Sequence, residues 1–410
     1  MWMLMHIAAR NLSRGWRRSL AVIGSIVIGL AGCMVLVGWS RGFATQMAEN
    51  AVRSDLATIA IQARGYQANP DPARTLPAPP DEVLALADGR AGVWAAPRLR
   101  AEGLVQSARN SSRGAIVGID PAREPGVSVI AEAVVAGSYL ENGTPGKRQL
   151  PPVLLGTALA ERLHVGVGDK VVLRVPGESG IGAYRVRGLY RTGSSAFDRI
   201  HAYVLLEDAM RLLESRGRVS EIALFVDRSQ DPFAVRDEFR AALDPDAFEV
   251  LHWSEREPRL SVMIELMDQM GWLLYGFIFV GMAFGIANAI LMSVYERLRE
   301  FGLLRSLGLG SRRLLAMVLL EAVLLTGVGT VLGLAIGWAV VIWMGTVGMD
   351  LSMFSEGLRE WGIGTTIYPV LNLDDAITPL LFAVGTALVA GLWPASKAVR
   401  LRPAQALRAT

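Results

Sequence analysis

The chain contains one cysteine, Cys33, and it lies inside a long apolar run, so no internal disulfide can form. Any soluble part must therefore be held by its own hydrophobic core. Histidine is scarce too. His6, His164, His201 and His252 are scattered, with no HxxxH or HExxH spacing, which argues against a metal centre. Charge is also thin, at 19% of residues, while 52% are hydrophobic. The mean hydropathy of +0.35 is too high for an ordinary soluble protein. The charge is nevertheless too high for membrane helices alone. A few spans and a large soluble domain are implied.

Catalytic signatures are missing as well. The nearest approach to a phosphate-binding loop, Gly143 to Arg148 (GTPGKR), lacks the first glycine of GxxxxGK[ST] and the Ser/Thr that would hold Mg²⁺. It reads as a surface turn. No G-x-S-x-G elbow is present. Asp198 and His201 could be cast as an acid–base pair, but a turn carboxylate near a strand histidine is the ordinary reading. The chain is thus not expected to be an enzyme, and no cofactor is expected in it. The net charge of +3 is small and its placement matters more: Arg10, Arg14, Arg17 and Arg18 precede the first apolar run, and Lys397, Arg400, Arg402 and Arg408 follow the last. That is the habit of a membrane protein, and no nucleic-acid partner is expected.

Four apolar runs reach the ~20 residues needed to cross ~30 Å of hydrocarbon. They are Ser19–Trp39, Gly271–Val294, Leu314–Met344 and Ile377–Trp393. The third is longer than one crossing needs, which predicts tilt or extension beyond the bilayer. The first is too long for a signal-peptide core and no convincing cleavage site follows, so it reads as a retained anchor. Arg and Lys cluster at both termini and in the loop 296–313, which predicts that these face the cytoplasm. The loop 345–375 carries Asp350, Glu356, Arg359, Glu360, Asp374 and Asp375 and is expected outside, with Trp361 and Tyr368 as a belt at the outer interface. The fold expected is an α-helical membrane protein with four transmembrane helices and a large extracytoplasmic α+β domain between spans one and two. The chain is expected to be multi-pass, with both termini cytoplasmic and residues 41–270 in the periplasm or its equivalent.

Residues 1–40 then form a cytoplasmic amphipathic segment and the first span. Residues 41–270 form the periplasmic domain, and 271–410 the membrane domain with a cytoplasmic tail from 394. Within 41–270 an α+β base is expected at about 41–95 and 200–265, with a β-rich insert at about 96–199. Arg41–Asn50 can prolong the first helix, and Asn69–Pro80 is a proline-rich break. Strands are expected at Asp55–Ala63, Arg113–Ile119, Val153–Leu155, Lys170–Val175, Tyr184–Tyr190, His201–Leu206 and Glu221–Val226. Short helices are expected at Asp81–Ala87, Thr157–Leu163, Glu207–Glu214 and Pro232–Leu243.

Two polar residues interrupt the spans, Asn288 and Glu321. Polar groups in hydrocarbon are costly. The plain expectation is that Asn288 bonds a neighbouring helix and that Glu321 pairs with an arginine near the cytoplasmic end. Gly24, Ser25, Gly29 and Gly32 fall near helical spacing and suit close helix packing, compatible with a dimer. Pro394 is expected to end the fourth helix.

The densest pattern is ERLREFGLLRSLGLGSRRLLAMVLLEA, residues 296–322. Glu296, Arg297, Arg299, Glu300 and Arg305 fall on neighbouring helical turns. Phe301, Leu303 and Leu304 interleave as apolar anchors, and Gly308 and Gly310 permit a sharp turn. A short helix of this kind can lie at lipid headgroups or seat in a partner's groove.

This segment, together with AARNLSRGWRRSLAVIGSIVIGL near the start, VLLGTALAERLHVGVGDKVVLRV at 153–175 and WPASKAVRLRPAQALR at 393–408, resembles the MacB/FtsX/LolC–LolE family of ABC permeases. The four matches fall in order over nearly the whole chain. The resemblance implies a mechanotransmission fold with Porter- and Sabre-like outer subdomains. It implies two copies of a separate ATPase subunit that bind ATP and Mg²⁺, and a second permease, identical or homologous. It also implies that Glu296, Arg297, Arg299, Glu300, Phe301, Leu304, Arg305 and Gly308 couple to that ATPase. The work done outside would be lipoprotein release or handling of another periplasmic substrate. The alternatives are an FtsX-like relay controlling a periplasmic enzyme and MacB-like efflux of a drug, toxin or peptide.

Overall fold

The computed structural model describes residues 16–69, 75–76, 80–143, 149–175, 180–215, 217–360 and 364–400. The amphipathic N-terminal segment, most of the GTPGKR turn, most of the proline-rich break, Trp361, and Arg402 and Arg408 lie outside them.

The first helix, α1 (Trp16–Ala51), runs well past the apolar stretch and ends in a π-helical turn, Val52–Leu56. Then follow β1 (Ile59–Ala63), α2 (Pro80–Asp88), β2 (Val93–Gln106), β3 (Ser111–Ile119), β4 (Val134–Gly137) and β5 (Pro152–Gly156). Next are α3 (Thr157–Leu163), β6 (Lys170–Arg174), β7 (Ile181–Tyr190), α4 (Ser195–Asp198), β8 (His201–Leu205) and α5 (Leu206–Leu212). β9 (Glu221–Val226), α6 (Pro232–Ala242), β10 (Phe248–His252) and α7 (Trp253–Arg256) lead into α8 (Pro258–Glu296). The rest is α9 (Leu298–Ser306), α10 (Ser311–Val347), β11 (Met349–Asp350), α11 (Ser355–Glu360), β12 (Thr366–Ile367) and α12 (Asp374–Arg400).

Among the described residues, four helices are long and apolar enough to cross a membrane: Ser19–Leu56, Pro258–Glu296, Ser311–Val347 and Asp374–Lys397. At ~1.5 Å per residue the longest exceeds the ~30 Å of a hydrocarbon core by a wide margin. α8 starts 13 residues before the expected edge at Gly271 because Arg259, Glu265, Asp268 and Gln269 interrupt the apolar run without interrupting the helix. The expected stop at Pro394 is not seen. Pro394 is buried inside α12, which continues to Arg400. The ring removes one backbone bond, and packing of the helix carries it past that point.

The chain divides into two compact units, one within Met1–Ala44, Ile264–Asp350 and Ile367–Thr410, the other within Thr45–Met263 and Leu351–Thr366. In the first, Ile26, Leu30, Tyr275, Phe279, Ile286, Met317 and Val318 share one core. The glycines that seat helices closely are not those expected on α1. Gly24 and Gly32 face open space, whereas Gly329, Gly333 and Gly337 form a ridge on α10 against Ile26, Leu30 and Met34. A Cβ at Gly333 would lie 3.2 Å from Val27 Cα and from Leu30 Cβ. At one end of this unit Arg41 of α1 pairs with Asp375 of α12 and lies 3.5 Å from Asp268 of α8.

The second unit is built on a ten-stranded sheet ordered β10-β1-β9-β2-β3-β8-β5-β7-β4, with β6 joining β2 to β7. Because β6 bridges both, β2, β3, β8, β5, β7 and β6 close into a ring. Leu99, Val105, Ile116, Val153, Val171 and Val204 fill its core. The open end, β10-β1-β9 with the start of β2, carries a second core against α2 and α6, built on Ile59, Ile61, Leu224, Val235 and Phe239. The base and insert read from the sequence are thus two cores sharing one sheet, and β2 belongs to both. The expected placement of 200–214 in the base does not hold. β8 lies between β3 and β5, parallel to β3, within the ring.

Candidate functional site: the turn between the second and third spans

α8 ends at Glu296, and Arg297 leaves the helical region with φ −115° and ψ 21°. The run 296–305 is therefore a break followed by a separate short helix, so Glu296 and Arg297 do not share the helical turns of Arg299, Glu300 and Arg305. α9 closes with a Schellman motif. Leu309 N donates to Leu304 O (3.0 Å) and Gly308 N to Arg305 O (3.1 Å), with Gly308 at φ +92°. Only glycine takes that conformation without a Cβ penalty, so Gly308 is fixed by the turn. Leu304 and Leu309, the usual apolar partners of this motif, both pack on the helical core. Gly310 then caps the start of α10 with extended backbone.

The break decides which side chains face in. Phe301 is 2% exposed and is part of the core formed by the spans. Arg297 lies over its ring at 5.4 Å, donates to Glu300 through Nε at 2.8 Å, and places Nη1 3.5 Å from Glu321. Glu321 also accepts from Ser293 Oγ at 3.1 Å. The expected pairing of Glu321 with an arginine is therefore seen, and the arginine is Arg297. Charge inside an apolar bundle is held by a partner and a hydroxyl, as its desolvation requires.

The opposite face is open. Glu296, Arg299 and Glu300 are exposed, Arg305 is half-buried, and Leu303 and Leu307 are 54% and 76% exposed. Arg312 and Arg313 follow on the first turn of α10, also exposed. Of the apolar residues singled out above, Phe301 and Leu304 hold the segment to the spans. Leu303 faces out, and Leu307, which sequence reasoning missed, faces out further. The signal for Leu307 was its position beside Gly308, at the end of a helix too short to hide it.

Asn288 does not fit its expectation. It is exposed on α8, and among the described residues it has no hydrogen-bond partner.

Elsewhere, the 153–175 motif forms β5, α3 and β6. Asp169 accepts from Gly166 N at 2.8 Å, and Gly168 sits at φ +95°. Asp198 and His201 do not pair with each other. Asp198 accepts from Thr192 N and Oγ1, and His201 Nδ1 lies 3.1 Å from Phe197 O. Burial, outweighing the bonds from Thr192, raises the Asp198 carboxyl above its ordinary range.

Residues 19–242 match the model of the MacB-like periplasmic core domain, and residues 272–403 match that of the FtsX-like permease C-terminal domain. The chain is 25% identical over 406 residues to the lipoprotein-releasing system transmembrane protein LolC of Neisseria meningitidis serogroup B, covering 94% of this chain and 92% of that one. It is 30% identical over 168 residues to the macrolide export ATP-binding/permease protein MacB of Chlorobaculum tepidum, covering 41% of this chain and 23% of that one. Among solved structures it is similar to the periplasmic region of MacB from Actinobacillus actinomycetemcomitans, at 11% identity and a TM-score of 0.35, covering 52% of this chain and 97% of that one. With four helices of spanning length and a MacB-like core model matching more than half of its residues, this inner-membrane chain belongs to the FtsX-like and MacB-like family of ABC-transporter permeases.

Proposed function

We propose that α9 and its two turns are the handle by which a separate cytoplasmic ATPase, binding ATP and Mg²⁺, moves α8 and α10. The observation that carries this reading is the division of one short helix. Phe301, Leu304 and Arg297 bind it to the spans, while Leu303 and Leu307 stand exposed among arginines. Apolar side chains rimmed by charge suit a protein groove. The arginines favour the cytoplasmic side, which would put the termini inside and the α+β unit in the periplasm. In this reading two ATPase copies serve a pair of permeases, and the chain itself hydrolyses nothing.

For the work done outside, the near full-length match to LolC favours lipoprotein release. MacB-like efflux is the alternative, favoured by the 30% identity to a MacB over part of the chain. Release of a lipoprotein from proteoliposomes containing the complex separates the two.

The test of the handle is Arg299→Glu with Arg305→Glu in the full chain, purified with its ATPase. Loss of copurifying ATPase, or ATP hydrolysis that no longer responds to the permease, is expected while the α+β unit stays folded. ATPase binding and turnover equal to wild type would refute the docking.

A further inference from the structure

The end of α1 is held by an arrangement that stability alone does not demand. The π-helical turn Val52–Leu56 frees the last carbonyls of the helix, and each finds a donor from a different part of the second unit. Arg53 O accepts from Val129 N at 3.0 Å, and Ser54 O from Tyr203 Oη at 3.4 Å. Asp55 O accepts from Arg98 Nη1 at 2.5 Å and from Arg100 Nη2 at 2.9 Å, while Leu56 O accepts from Arg256 Nη1 at 3.1 Å. Cationic donors at a helix C-terminus also meet the negative end of its dipole. The next residue, Ala57, is buried at φ 57° and ψ 174°, a conformation almost reserved for glycine.

The three arginines converge on three carboxylates, of which Glu221 and Glu124 are fully buried and Asp55 is partly exposed. Glu221, at the start of β9, accepts from Arg100 Nε at 2.6 Å and from Gln62 Nε2 at 3.1 Å, and lies 2.8 Å from Arg256 Nη2. Glu124 holds Arg98 by two bonds, at 2.6 and 3.2 Å. Asp55 pairs with Arg100 at 2.5 Å and approaches His201 at 3.6 Å. Arg256 is the last residue of α7, and only Glu257 separates it from α8. α7 is itself fixed by a capping box between His252 and Glu255, and Glu255 binds Arg236 and Arg240 of α6. Glu221 therefore touches at once the arginine that caps α1, the arginine that precedes α8, and the sheet.

Buried ion pairs of this kind are often no more stabilising than apolar packing, and their best-attested role is to fix one geometry. We infer that Glu221 is a positioning residue for transmission: through Arg100 and Arg256 it locks the end of α1, the start of α8 and the sheet into one body. A shift of either helix then reaches β1, β9 and β10 undiminished. This rests on the proposal that an ATPase drives the helices.

The test uses the full chain with its ATPase in lipid nanodiscs and reads hydrogen–deuterium exchange without nucleotide and with ATP plus vanadate. It compares wild type, Glu221→Gln, which keeps shape and loses charge, and Val171→Ala, which loosens the ring core away from the cluster. In wild type, nucleotide changes exchange in β1, β9 and β10. In Glu221→Gln, ATP hydrolysis and the change in α9 persist, while the change in those strands falls at least about fivefold, the low end of an ordinary coupling between sites. Val171→Ala keeps the response. A wild-type response in Glu221→Gln overturns the inference, and so does equal loss in Val171→Ala. No response to nucleotide anywhere in wild type, α9 included, overturns the ATPase handle and this inference with it. A response confined to α9 and the spans overturns only the inference.

Discussion

Arg297 Nη1 stands 3.5 Å from the carboxylate of Glu321, so the turn after α8 is tied to the interior of α10 by opposite charges. Neither residue is placed to act on a partner directly. Together they tie the start of α9 to α10. A double-mutant cycle of Arg297→Gln and Glu321→Gln should show a favourable coupling of about 0.5–3 kcal/mol. The measurement is the midpoint of detergent-induced unfolding of the full chain. Strictly additive effects would show that the pair does not hold the turn.

The ridge of Gly329, Gly333 and Gly337 lets α10 approach α1 closely. Gly333→Val has no room beside Val27 and Leu30 and should cost about 1–3 kcal/mol by overpacking. Gly24→Val on α1, which meets nothing within 4 Å, should be neutral in the same unfolding assay.

Ala57 holds a backbone conformation that costs a non-glycine residue on the order of 1–3 kcal/mol. Ala57→Gly relieves that strain, less the greater flexibility glycine gives the unfolded chain. A net gain of about 1 kcal/mol is expected, read as a raised melting temperature of the full chain. A loss would mean that the φ of +57° is not strained in this setting.

Acid should weaken the second unit in two windows. Burial alone would raise the Glu221 carboxyl, but Arg100, Arg256 and Arg98 outweigh it and hold it at about 2, below its ordinary 4.5. A depressed carboxylate contributes stability that is complete above pH 4.5 and is lost as pH falls toward 2. The contribution is on the order of 3 kcal/mol. Burial, assisted by Arg236, lowers His252 from 6.5 to about 4 against the pull of Glu255 and Asp231. The folded state thus binds this proton less readily, and stability is lost as pH falls from 6.5 toward 4. Melting of the full chain against pH should show both declines. Glu221→Gln should flatten the lower window and leave the upper one.

Much of this was legible in the residues, for physical reasons that also mark where reading stopped. A long apolar run has only one use in a chain with so few charges, so the four spans were plain. Their ends were not, because the polar residues of 258–270 keep helical periodicity after apolarity fades. β2 escaped notice because Arg98 and Arg100 look like solvent positions, whereas Arg98 is 1% exposed and bonded to Glu124. β8 was assigned by its place in the chain, and its parallel pairing with β3 crosses that order. In the segment 296–308 the residue types predicted a short helix between two spans, and α9 is that helix. The facing of Phe301 and Leu304 inward, and of Leu303 and Leu307 outward, depends on the break at Arg297, which no periodicity announces.

The proposed docking of an ATPase on α9 can be tested by photo-crosslinking in native membranes. A photoreactive amino acid in place of Leu307, which is 76% exposed, should give an adduct containing an ATPase subunit. The same probe in place of Phe301, buried among the spans, should give none. Adducts from position 307 to lipid alone, with no ATPase in them, would contradict the account.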